Sequence, residues 1–244
     1  MTEQAAAGIS DLFEWRIPDT STNYFLLPKS LRAIIVGKSG SGKSLLVYNL
    51  LLKPGMLDFN RLYVFGNSIH QLGYQIIKAA LDKRLSKSQI QVLFENQEMV
   101  NARGGPLKVI EDYSGECKGD VETFFYDDIG LLPDPSELSD KYRNLVVIDD
   151  CINERDLSKP SSFYCRGRHN NTQIIFQSQS YFALPRWTIR GNCNMICLFR
   201  QDGKNLLHIH ADHVSSDGIS FETFRDDFAL PTWAEDEHNF RLVW

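Results

Sequence analysis

The sequence predicts a three-layered α/β domain on a mostly parallel sheet, and three stretches carry that expectation. The first is Leu31-Arg32-Ala33-Ile34-Ile35-Val36, a short β-branched run that reads as a buried strand. The second, Gly37-Lys38-Ser39-Gly40-Ser41-Gly42-Lys43-Ser44, fits G-x-x-x-x-G-K-[ST], the P-loop pattern. The third is Asn144-Leu145-Val146-Val147-Ile148-Asp149-Asp150, where apolar residues run into two carboxylates. Ligands of parallel sheets collect at the C-terminal ends of the strands, so both acids should emerge beside the glycine loop.

Each residue type in the loop has a physical role. Glycine lets the backbone curl until successive N–H groups point at one phosphate. Lys43 brings a compact positive charge to the outer phosphates of a nucleotide, and Ser44 offers a hydroxyl to Mg²⁺. The helix expected from about Lys43 to Leu52, stopped by Lys53-Pro54-Gly55, aims its positive end at the same anion. ATP with Mg²⁺ is therefore the expected ligand of residues 37–44. The Lys38 side chain reads as solvated, because the P-loop variant that uses a lysine there has glycine in place of Ser39.

The acid pair divides into two tasks. Asp149 would hold Mg²⁺, directly or through water, and Asp150 would orient or activate the attacking water. The strand Thr172-Gln173-Ile174-Ile175-Phe176 ends in Gln177-Ser178-Gln179-Ser180. An amide at that tip can sense the γ-phosphate or hold the lytic water; Gln179 is the first choice and Gln177 the second.

Other elements follow in order. Residues 1–12 read as a tail, and Phe13-Glu14-Trp15-Arg16-Ile17 as a short edge strand. Arg61-Leu62-Tyr63-Val64-Phe65 and Met195-Ile196-Cys197-Leu198-Phe199 are further strands. His70 to Leu85 should be helical, with Tyr74, Ile76, Ile77, Ala80 and Leu81 on its apolar face, and Ser86 to Gln89 starts another turn. Residues 96–120 show no period and read as a surface loop. Phe124 to Asp128 is placed outside the core. The stretch from Phe221 to Trp244 should pack a helix or strand on the core.

Composition limits the function. A hydrophobic content of 43% supports a sizeable core, and no apolar run approaches a membrane span. The N-terminus lacks a signal-peptide layout, and five cysteines without a C-x-x-C pair suggest free thiols in a reducing compartment. A net charge of −5 excludes a polycation, so nucleic-acid binding would need a local basic surface. One such segment exists: Lys159, Arg166, Arg168, Arg186, Arg190, Arg200 and Lys204. It could reach a neighbour's ATP as an arginine finger, contact a DNA backbone, or be solvated charge. His208-Ile209-His210-Ala211-Asp212-His213 has metal-like spacing but no specific signature, and is not expected to bind metal.

Several segments together resemble the FtsK–HerA superfamily packaging ATPases of poxviruses and other large eukaryotic DNA viruses, and of polinton- and adintovirus-like elements. The similarity runs through Leu27 to Ala33, the P-loop, and Asp149-Asp150. It is most specific in Tyr164-Cys165-Arg166-Gly167-Arg168-His169-Asn170-Asn171 and Gln179-Ser180-Tyr181-Phe182-Ala183-Leu184-Pro185. Ile189 to Asn192, Phe199 to Asp202, and Asn205 to His213 continue it. The resemblance implies a RecA-like additional-strand P-loop fold, with residues 27–200 as the nucleotide-binding core and 201–244 packed on it. It implies a homo-oligomeric ring of about five or six subunits that moves double-stranded DNA into a preformed capsid at its portal vertex. It also implies action at the viral assembly site, in host cytoplasm or nucleus. The family's strand glutamine falls on Gln179, and its trans-acting arginine on Arg168 or Arg166, with Arg190 in reserve. Its second acid is Glu or Asp, so Asp150 fits with a shorter reach. The rival readings are a P-loop kinase for a small molecule, a helicase or conjugation-type pump, and an inert ATP-binding scaffold.

Overall fold

Runs of Val, Ile, Leu and Phe with few charges bury best as strands covered on both faces. Such runs form the centre of this protein. The structure, a computed structural model, describes residues 27–28, 30–53, 55–114, 119–151, 156–228 and 240–243. The tail at 1–12 and the strand expected at 13–17 lie outside the described residues. The strands are β1 (Arg32–Val36), β2 (Arg61–Gly66), β3 (Glu122–Tyr126), β4 (Asn144–Asp149), β5 (Thr172–Ser178), β6 (Met195–Phe199) and β7 (Phe240–Val243). They form one sheet in the order β3-β2-β4-β5-β1-β6-β7. All neighbours are parallel except β7, which runs antiparallel beside β6.

Alternate residues of each strand feed two apolar layers. On one side Ala33, Ile35, Val147 and Ile175 meet Leu46, Val47 and Leu50 of α1 (Lys43–Leu52) and Tyr74 and Ile77 of α2 (Leu72–Asp82). On the other, Ile34, Val36, Val146, Ile148 and Phe176 meet Phe163 and Tyr164 of α6 (Ser158–Arg166). The Tyr164 hydroxyl donates to the Ala33 carbonyl, tying α6 to the back of β1. The three layers and the RecA-like α/β class are as the sequence predicted.

Two regions differ from the expectation. Residues 96–120 hold two short helices: α4 (Gln97–Ala102) packs on α3 (Lys87–Glu95), and α5 (Pro106–Asp112) packs on α4 and α2. Their polar composition hides any period, although proline at the first turn of α5 is a start signal. Phe124 to Tyr126 belongs to the sheet as β3, an edge strand. Its rings stack on those of β2, Tyr63 on Phe124 at 4.6 Å and Phe65 on Tyr126 at 4.9 Å. The helix expected over 70–85 is trimmed to Leu72–Asp82, and Ser86 and Gln89 form a capping box that starts α3. After α7 (Gly203–Ile209), the C-terminal stretch gives both a helix, α8 (Phe221–Phe228), and strand β7.

One glycine fixes how β2 meets β4. Gly66 lies opposite Asp149, with φ +153, and a Cβ there would sit 2.2 Å from the Asp149 carbonyl oxygen. Gly66→Ala should therefore force the strands apart at the acid pair and cost about 3 kcal/mol. Thermal unfolding checks this, with an expected fall in Tm of roughly 6–12 °C. An unchanged Tm would show that β2 and β4 part freely at this point.

Candidate active site

Because β1, β4 and β5 are parallel neighbours, their C-terminal ends share one rim. In register, Gln177 of β5 lies between Ile35 of β1 and Asp149 of β4, and Ser178 lies beside Val36. The P-loop leaves β1 at that rim, and its Gly37 N–H donates to the Ser178 carbonyl at 3.1 Å. The acids and the glycine turn thus face each other across a single strand.

The loop closes around its own lysine. The Lys43 ammonium donates to the Gly37 carbonyl at 2.7 Å and the Lys38 carbonyl at 2.9 Å. Burial pushes its pKa down, while Asp150 and then Asp149 hold it up. Gly42, at φ 95, turns the chain into α1 through a conformation that costs a side-chain-bearing residue about 1 kcal/mol or more. Gly37 is buried, Lys38, Ser39 and Gly40 are exposed along the loop, and Ser41, Gly42 and Ser44 are half-buried. The Gln201 amide donates to the carbonyls of Val36 and Phe199, bracing the strand just before the loop.

Asp149 is buried at 3% exposure. Burial pushes its carboxyl up to about 6, against the pull of a Tyr74 hydrogen bond and of Lys43. Asp150 has φ +53, which turns its side chain away from the strand's alternation. There its Oδ2 accepts from Gln179 Nε2 at 2.6 Å. Gln177 points into the layer under α2, and its Nε2 donates to the Tyr74 hydroxyl at 2.8 Å. The two amides therefore serve different acids: Gln179 holds Asp150, and Gln177 reaches Asp149 through Tyr74.

Four buried oxygens at this rim have no hydrogen-bond partner among the described residues: Ser41 Oγ, Asp149 Oδ2, Asp150 Oδ1 and Gln177 Oε1. Unpartnered buried oxygens are costly unless a cation or water meets them. A hard divalent cation takes oxygen ligands of this kind, so the donor set at the acid pair fits Mg²⁺, which Asp149 would hold; the P-loop Ser44, half-buried, would add its hydroxyl.

The arginines divide by position. Arg166 pairs with Asp134 at 2.8 Å on the surface, where such a pair adds little stability. Arg168 is exposed in the turn Gly167–Asn170 that precedes β5, with no ion pair among the described residues. That turn lies at the opposite rim from the P-loop, about 20 Å away along β5. Neither arginine is brought to the site of its own chain. Arg190 is buried at 5% exposure, with a 3.0 Å ion contact to Asp212 and its guanidinium over the Tyr181 ring. In this chain its guanidinium is packed into the core.

The series most specific to the packaging resemblance turns out to be a brace. The Asn205 side-chain oxygen accepts from the N–H groups of Tyr181 and Phe182 at 3.1 and 3.2 Å. The Tyr181 hydroxyl meets Asp212 at 3.1 Å and His213 at 2.7 Å, and Arg186 adds a second ion pair to Asp212. This network fixes the loop that presents Gln179. The three histidines diverge: His208 stacks on Phe182, His210 meets the Ile219 carbonyl, and His213 meets Tyr181. Among the described residues no cluster of three His, Cys, Asp or Glu side chains could hold a metal. Nor is any described helix long and apolar enough to cross a membrane.

A parallel sheet with a glycine loop at one rim and an acid pair beside it defines a P-loop ATPase fold. A solved structure of the genome packaging NTPase B204 from Sulfolobus turreted icosahedral virus 2, in complex with AMP, is similar to this chain. It has a TM-score of 0.50 and 14% identity, and covers 89% of this chain and 94% of that one. The same NTPase in complex with AMPPCP gives a TM-score of 0.49 at 12% identity, covering 89% and 99%. EssC (ATPases 2 and 3) from Geobacillus thermodenitrificans gives 0.39 at 13% identity, covering 73% and 34%. At 14% identity the first of these likenesses bears on the fold alone. No protein-family model matches the sequence, and no curated protein does.

Proposed function

We propose that this chain hydrolyses ATP and uses the cycle to drive double-stranded DNA into a viral capsid, as one subunit of a homo-oligomeric ring at the capsid portal. The observation that carries the ATPase part is the shared rim: Lys43, Asp149, Asp150 and Gln179 converge across β5. The fold shared with an NTPase described as genome-packaging supports the motor part. Its place of action would be the site of virion assembly in the infected cell.

The residues divide the work as follows. The P-loop N–H groups and Lys43 bind the β- and γ-phosphates, the lysine exchanging its two carbonyl partners for phosphate oxygens. Magnesium, when bound, neutralises charge on the phosphates. Asp150 takes the proton of the attacking water, and Gln179 keeps that carboxylate aimed. Arg168, exposed on the surface, would reach the nucleotide of the next subunit. Phosphate-backbone contact carries no sequence information, which suits a motor that must accept any genome.

ATP turnover with and without duplex DNA tests this reading. Stimulation by duplexes of unrelated sequence, falling as salt rises, is the expected result. Unstimulated turnover with phosphate passed to a small acceptor would identify a kinase, and unwinding of a forked duplex would identify a helicase.

A further inference from the structure

The sequence places Tyr74 among apolar residues on a helix face, and nothing in its spacing marks it as functional. The structure puts it somewhere else in the chemistry. Tyr74 is fully buried, as is Gln177, and Asp149 is almost so. Its ring is locked edge-to-face against Tyr48 of α1 at 5.0 Å, with Phe125 of β3 at 6.4 Å on another side. Gly73, the preceding residue, permits this approach, since a Cβ there would lie 2.3 Å from the Tyr48 ring.

The hydrogen-bond logic fixes the direction of the chain. An amide nitrogen only donates, so Gln177 Nε2 occupies the Tyr74 oxygen as acceptor. The single hydroxyl proton is then left to face the Asp149 carboxylate, because Asp149 is the cross-strand neighbour of Gln177 and the tyrosine's pull on it acts to lower the Asp149 pKa. Asp149 Oδ2 is buried, with no hydrogen-bond partner among the described residues. The geometry points to Tyr74 as a positioning residue for the reaction: with Gln177 behind it, Tyr74 orients Asp149 so that its free oxygen presents to the nucleotide-bound divalent cation. This is the outer-shell arrangement that orients metal-binding carboxylates elsewhere, where loss of the partner typically costs 10–100-fold in metal affinity. The inference rests on the ATPase reading above, and it adds that α2 is part of the site.

The test is binding of a fluorescent ATP analogue to the full chain, titrated with magnesium. Tyr74→Phe keeps the ring packing and removes only the hydroxyl. We expect affinity without magnesium to stay within about twofold of wild type, and the half-saturating magnesium concentration to rise about tenfold. Gln177→Leu should shift magnesium dependence the same way by a smaller factor, and Tyr48→Phe, which alters the neighbouring hydroxyl, should leave it unchanged. An unchanged magnesium half-point in Tyr74→Phe overturns the inference, as does an equal loss of affinity with and without magnesium. If the wild-type chain itself shows no magnesium-dependent nucleotide binding, it is the ATPase reading that falls.

Discussion

Asp150→Asn should bind ATP about as tightly as the wild type and turn it over about 10³-fold more slowly. The reason is local. Asp150 Oδ1 is buried with no partner among the described residues, and Oδ2 is fixed by Gln179 at 2.6 Å. A general base so held contributes about 10²–10⁴-fold to a hydrolysis rate. Asparagine tolerates the φ of +53 found here, so the backbone should not change. The Gln179 contact can also persist, through the asparagine carbonyl. The phosphates are gripped by the loop and Lys43 rather than by this side chain, which is why affinity should survive. Analogue binding and single-turnover hydrolysis measure the two quantities separately. Turnover within tenfold of wild type would remove Asp150 from the base role.

Arg168→Ala should lower turnover by about 10³-fold or more, the scale of an arginine finger, with no loss of stability. Its side chain is exposed and stands in a turn at the rim opposite its own P-loop, so it supports neither the core nor its own nucleotide. Only a head-to-tail contact can bring it to a triphosphate, which is the contact that closes a ring. A mixing experiment distinguishes this from a local effect. Arg168→Ala and Asp150→Asn subunits, each inactive alone, should recover turnover together. About a quarter of interfaces in an equal random mixture join an intact arginine to an intact acid. If Arg168→Ala alone retains near-normal turnover, no trans-acting arginine stands at this position.

Much of this arrangement was legible in the chain before any coordinates. A buried parallel strand is covered on both faces, so β1, β4 and β6 read as unbroken apolar runs. A phosphate cradle is built from contiguous residues, so the stretch from Gly37 to Ser44 identifies itself. What escaped depends on contacts distant in sequence. Tyr74 meets Gln177, 103 residues away, and a tyrosine at an apolar helical position looks like core packing. The β3 strand escaped because an edge strand is only half covered and shows neither a full apolar run nor clean alternation. The helices α4 and α5 escaped because short polar helices draw their stability from neighbours rather than from their own pattern. The motif from Gln179 to His213 was visible, but its residues brace a loop, which no spacing could reveal.

The twist of the backbone at Asp150 acts as a filter on which acids this position can hold. Left-handed residues are tolerated chiefly when the side chain is short and polar enough to settle against nearby backbone, a condition that aspartate and asparagine meet and glutamate does not. Here the main chain, more than the charge, selects the shorter acid. Lengthening the carboxylate by one methylene, nominally the mildest of exchanges, would set side-chain reach against chain geometry at the end of β4.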